Sequence, residues 1–60
     1  MTDHRQLFPR GTRVKDCVTG TQGTVAEVSG ISVIVRPDDR PTVIQFSPVS
    51  ALRDLAVIST

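Results

Sequence analysis

Apolar and polar positions alternate along this chain in short runs, and glycine or proline interrupts each run. A period of two predicts β-strands rather than helices. The first strand spans Gly11 to Val18, with Val14 turned inward between Arg13 and Lys15. Thr19 to Gly23 follows as a loop. Both of its glycines, Gly20 and Gly23, are expected at backbone angles that other residues avoid. The second strand runs from Thr24 to Ser29 with Val25 and Val28 inward. Their spacing of three rather than two predicts a bulge near Ala26-Glu27. Ser29-Gly30 turns the chain into a third strand, Ile31 to Arg36. There Ile31, Val33 and Val35 share the core face and Ile34 lies opposite. A charged turn with a proline at each end, Pro37 to Pro41, leads to a fourth strand, Thr42 to Phe46.

The fourth strand departs from simple alternation. Val43 and Gln45 share one face; Ile44 and Phe46 share the other. A strand buried on one side carries polar residues on its second side, yet this one is apolar on both. Ile34 from the neighbouring strand is expected to join Ile44 and Phe46. The surplus apolar face predicts cover by another copy of the chain. The alternative is that curvature of a small barrel hides Ile44 and Phe46 within one chain.

Ser47 to Leu52 predicts one turn of 3₁₀ helix. Ser47 can cap it, and Pro48 suits its first position because the missing N–H costs nothing there. Val49 and Leu52, three apart, are expected to point into the core. Arg53 to Ile58 reads as a closing strand with Leu55 and Val57 inward. At the other end, Met1 to Gln6 is polar and has no period, and Leu7-Phe8-Pro9 reads as an apolar plug over the core. Residues 1–8 are therefore assigned to a flexible tail and 9–58 to a single domain. The fold class expected is all-β: a small SH3-like barrel of about five short strands, with a one-turn 3₁₀ helix before the last.

Length and composition sharpen this picture. Sixty residues make one domain. A chain of this size buries only about 60% of its unfolded surface, which leaves it marginal without a staple or a partner. One cysteine, Cys17, excludes an intrachain disulfide, and one histidine, His4, excludes a Cys/His zinc site. Cys17 is expected to pack as a small, at least half-buried apolar group. Seven basic residues against six acidic ones give no footprint for nucleic acid or for a membrane surface. No apolar run approaches the ~20 residues of a membrane span. A single thiol and no recognisable export signal lead to a cytoplasmic expectation. Trp and Tyr are absent, so base stacking has little to rest on.

No catalytic constellation emerges. His4 has no evident partner, the serines and threonines lack a base, and Asp38 and Asp39 sit in a charged turn. An enzyme built on this chain would have to work by positioning its substrates.

Two resemblances extend these readings. Gly11-x-x-Val14 with Gly20-x-x-Gly23-x-Val25 resembles the first hairpin of the KOW modules of ribosomal and transcription proteins. That would imply nucleic-acid binding, although KOW modules are basic around this hairpin and this chain is nearly neutral.

The second is more extensive. Val35, Pro41, Gln45, Pro48, Val49, Ala51 and Leu52, in an ungapped stretch from Ser32 to Leu55, resemble the plasmid-encoded type II dihydrofolate reductases. Gly11-x-Arg13-Val14 and Gln22-Gly23 also fit, with one residue fewer in the intervening loop. The likeness covers roughly residues 11–55. It implies an SH3-like barrel, a homotetramer around a central pore, and hydride transfer from NADPH to dihydrofolate by proximity alone. It also implies a plasmid or phage setting. Ile44, Gln45, Phe46 and Ser47 take the places of the family's Val-Gln-Ile-Tyr, which makes Gln45 the pore amide and the cofactor-binding residue. Ile34 joins them in the suspected pore or interface. The sequence departs from the family at Ser47 and Phe46, at Asp16 where the family has a lysine, at Thr21 and at Arg40. The expectation is therefore a self-associating binding module whose reductase activity is lost or weak. The alternative is an NADPH-dependent dihydrofolate reductase.

Overall fold

The computed structural model describes residues 3–59. Seven elements follow in order: α1 (His4–Leu7), β1 (Arg13–Asp16), β2 (Gln22–Val28), β3 (Val33–Pro37), β4 (Ile44–Phe46), α2 (Pro48–Asp54) and β5 (Leu55–Ser59). The strands form one antiparallel sheet in the order β4-β3-β2-β1-β5. β4 and β5 stand at its two edges, so the sheet is not closed.

Strand alternation holds where it was clearest. Val14, Val25, Val33 and Val35 are buried and form the centre of the core. The bulge expected in β2 is present: Val25 pairs with Val35, but the next partner of β3 is Glu27, opposite Ile34, with the register slipping at Ala26. Val28 then returns to the core side and packs against it.

The two loop glycines differ in their reasons. Gly20 has φ +81°, a backbone that side chains rarely adopt, as expected. Gly23 has no such angle. It pairs with Val14 on one side and Pro37 on the other, and a Cβ there would lie 2.5 Å from the Arg36 carbonyl oxygen and 2.9 Å from Val35 Cγ1. Its role is close approach of two strands, the condition for a short sheet to curl.

Several other expectations give way. Ile31 is 82% exposed, because Ser29 ends the strand pattern with a turn. Its Oγ accepts from the Ile31 and Ser32 amides, and its own N–H donates to the Ser32 carbonyl at 2.8 Å. The Ser47–Leu52 segment is a seven-residue α-helix, not a single 3₁₀ turn. Val49 and Leu52 do share a face of it, but that face is outward, and both are exposed. The small Ala51 is the residue that meets the core, with no exposed surface. Leu55, four residues on, is buried too, whereas Val57 is half-exposed at the edge of the sheet. Cys17 is exposed rather than packed.

The N-terminal segment also differs from a loose tail. His4–Leu7 forms a helical turn capped by Asp3, whose side chain accepts from the Arg5 amide at 2.9 Å. Phe8 is the apolar plug: it is 3% exposed and belongs to the core, while Leu7 stays outside. His4 gains a fixed partner, its Nε2 lying 2.6 Å from the Ser29 carbonyl. This ties the segment to the β2–β3 turn. Met1 and Thr2, which the tail assignment also covered, lie outside the described residues.

Candidate functional site

The register of β4 decides which of its side chains can act together. Val33 pairs with Phe46, Ile34 with Gln45 and Val35 with Ile44. Directly opposed residues of an antiparallel pair project from the same face. Ile44 and Phe46 therefore stand with Val33 and Val35 on the core side, and Phe46 packs against the core. Gln45 stands with Ile34 on the outer side. The expected grouping of Ile34 with Ile44 and Phe46 is thus corrected. Both Ile44 and Phe46 are half-buried within one chain, and the outward pair is the half-buried Ile34 beside the exposed Gln45.

Ser47 has a local task. It is the N-cap of α2, its Oγ accepting from the Ser50 amide at 3.2 Å and donating to Ser50 Oγ at 3.0 Å. A Ser–Pro step at the end of a strand supplies both the capping oxygen and a residue already set for helical φ. Asp16 is engaged as well. Its Oδ1 accepts from the Val18 amide at 2.9 Å, which folds the β1–β2 loop back on itself.

The remaining acids are mostly paired. Asp38 meets Arg13, Asp39 meets Arg40, Asp54 meets Arg53 and Asp3 meets Arg5. The Arg5 hydrogen bonds lower Asp3 to about 2. Hydrogen bonds from Arg13 and Arg53 likewise hold Asp38 and Asp54 below the ordinary carboxylate range. Asp38 and Asp39 thus face two different arginines. Among the described residues no three His, Cys, Asp or Glu side chains converge where a metal ion could be held. No helix among the described residues is long and apolar enough to cross a membrane.

No family model, curated protein or solved structure matches this chain. Geometry and pattern alone carry the assignment of its site.

Sequence reasoning missed a pocket of about 270 Å³ on the outer side of the sheet. Arg10, Gly11, Thr24, Val25, Ala26 and Arg36 line it. Three local features build it. Gly11, at φ +93°, turns the chain before β1, and its N–H donates to the Val25 carbonyl at 2.8 Å. The β2 bulge falls at Ala26. Thr24 pairs with Arg36, which brings that side chain over the same face. The one signal visible in the chain was the bulge, since bulges often re-aim side chains next to binding sites.

Proposed function

We propose that this protein is a self-associating binding module on an SH3-like barrel, related in plan to the type II dihydrofolate reductases, with reductase activity lost or weak. The barrel reading is supported by the strand order, in which the last strand returns beside the first after a short helix. It is supported also by the close strand approach at Gly23 and by the β2 bulge, both of which favour a curled sheet.

The observation that carries self-association is the run of exposed apolar residues between Val43 and Ile58. Val43, Val49, Leu52, Val57 and Ile58 are all exposed, and this stretch contains both edge strands and the helix joining them. An edge strand offers unpaired N–H and C=O groups, and flanking apolar side chains add the driving force for a second copy to dock. Native proteins blunt such edges with charge; here α2 has one basic and one acidic residue, both near its end, and β5 has none through Ile58. Sedimentation of the purified chain at rising concentration tests the reading. A concentration-dependent dimer or tetramer that Leu52→Lys converts to a folded monomer is expected. A monomer at every concentration would overturn it.

The reductase is the second reading, favoured by one observation. Gln45 is exposed and outward, beside Ile34, as a pore amide would have to be before assembly. Spectrophotometric oxidation of NADPH in the presence of dihydrofolate tests it. Turnover that is lost in Gln45→Ala would establish the enzyme, and no turnover by the assembled protein would end that reading.

A further inference from the structure

We propose that the pocket between Arg10 and Arg36 binds the phosphate of a small phosphate monoester. The chain has six arginines. Among the described residues, Arg5, Arg13, Arg40 and Arg53 each pair with a carboxylate. Arg10 and Arg36 do not, and these two line the same pocket, which no acidic residue lines. In a nearly neutral chain this concentrates uncompensated positive charge at one place. Two guanidinium forks suit a dianion with several oxygens, which each fork can engage by paired N–H donors.

The third donor is prepared by its neighbours. Thr24 Oγ1 accepts from Arg13 Nη1 at 3.0 Å, and Arg13 is itself fixed by Asp38 through bonds of 2.7 and 2.6 Å. That bond occupies a lone pair of the Thr24 hydroxyl and leaves its O–H free to donate to an incoming oxygen. A fixed donor loses little entropy when the ligand arrives. The Val25 side chain is buried in the core, so Ala26 supplies the pocket's apolar wall. Its volume lies just below the roughly 300–1,000 Å³ of pockets that enclose drug-sized ligands, so the organic part of the monoester is small. These features belong to one chain and do not depend on self-association or on the reductase reading.

The test is a nitrogen-15 amide titration of the full chain with inorganic phosphate, then with ribose 5-phosphate, at constant ionic strength. Saturable shifts confined to Gly11, Thr24, Val25, Ala26 and Arg36 are expected. Arg10→Gln and Arg36→Gln each weaken the binding roughly tenfold or more, the loss of a charge-assisted hydrogen-bond pair. Both arginines are exposed, so these variants keep the wild-type spectrum elsewhere. Arg53→Gln, which removes the same charge from an ion-paired arginine, leaves binding unchanged. Acetate, a monoanion, binds at least tenfold more weakly than phosphate. The proposal is overturned by shifts that grow without saturating, by an equal loss in Arg53→Gln, or by acetate binding as well as phosphate.

Discussion

Arg13 and Asp38, 25 positions apart in the chain, hold each other through two hydrogen bonds of 2.7 and 2.6 Å. The pair joins β1 to the turn after β3, across the strand that lies between them. Because Arg13 also reaches Thr24, one guanidinium spans the first three strands of the sheet. The Arg13 hydrogen bonds lower the Asp38 carboxyl below its ordinary value. A group whose folded pKa is depressed adds stability above its unfolded pKa and loses it as pH falls through the folded value. Asp38→Asn should therefore melt below wild type at neutral pH. The gap should narrow as pH drops below the ordinary carboxylate range, and narrow again in molar salt. Asp3 and Asp54 are lowered in the same sense, so the difference between the two proteins, not either curve alone, isolates the pair. A gap that is constant from neutral pH to acid would contradict this account.

Three glycines separate three physical effects. Gly23→Ala would push a Cβ to 2.5 Å from a backbone oxygen, which no side-chain rotation relieves. It should cost about 3 kcal/mol, at the upper end of ordinary overpacking. Gly20→Ala meets no atom within 4 Å but must adopt φ +81°. Its cost should be about 1 kcal/mol. Gly30 has open space and no unusual angle, so Gly30→Ala should be neutral or stabilising by up to ~1 kcal/mol. Urea unfolding of the three variants checks the ranking. A Gly20 variant weaker than the Gly23 variant would reverse it.

The same positions show how much of the fold was legible in the sequence. Alternation identified Val14, Val25, Val33 and Val35 because strand geometry sets a side chain's face by parity alone. The bulge was legible as a broken parity. Parity could not place Ile31, whose fate was settled by serine turn chemistry. Nor could spacing choose between the two faces of α2. It correctly paired Val49 with Leu52, but the residue of α2 that is buried against the core is Ala51. The site followed the same rule. Gln45 could be assigned a face within β4, but only pairing with Ile34 shows which neighbours share it. Arg10 and Arg36 are far apart in sequence and line one pocket because Gly11 bonds to Val25 while the adjacent Thr24 pairs with Arg36, so no local pattern marks it.

A paired substitution turns that lesson into a measurement. Val33 has no exposed surface, and Val33→Ala should cost about 2–3 kcal/mol, from lost burial plus the cavity left behind. Ile31→Ala removes more carbon but from an exposed turn, and should change stability by less than about 0.5 kcal/mol. Equal losses in the two variants would restore Ile31 to the core.

Loss of the Ser47 cap should be modest and local. Ser47→Ala deletes the oxygen that receives the Ser50 amide while leaving Pro48 in place. The expected cost is about 1 kcal/mol, and Ser47→Asp should recover most of it by supplying another acceptor. Amide exchange should quicken first at Ser50 and Ala51, since the helix frays from its N-terminus. Uniform quickening across the sheet, with no local excess in α2, would mean that the hydroxyl serves another purpose.

The most demanding consequence concerns Phe8. At 3% exposed it is one of two aromatic residues in the chain and packs against a core made otherwise of valines, one alanine and one leucine. Removing a buried phenylalanine ring costs about 3–5 kcal/mol. A domain of this length has only about 3–9 kcal/mol in total. Phe8→Ala should therefore be largely unfolded at 37 °C, and so should a chain lacking residues 1–8. Phe8→Leu, which refills most of the space, should remain folded with a lower melting temperature. His4→Ala breaks the 2.6 Å contact with the Ser29 carbonyl but leaves the ring of Phe8 in place, and should lower stability by about 1 kcal/mol. Circular dichroism and amide spectra distinguish these outcomes. A cooperative, fully folded domain after deletion of residues 1–8 would show that the sheet holds its core together without Phe8.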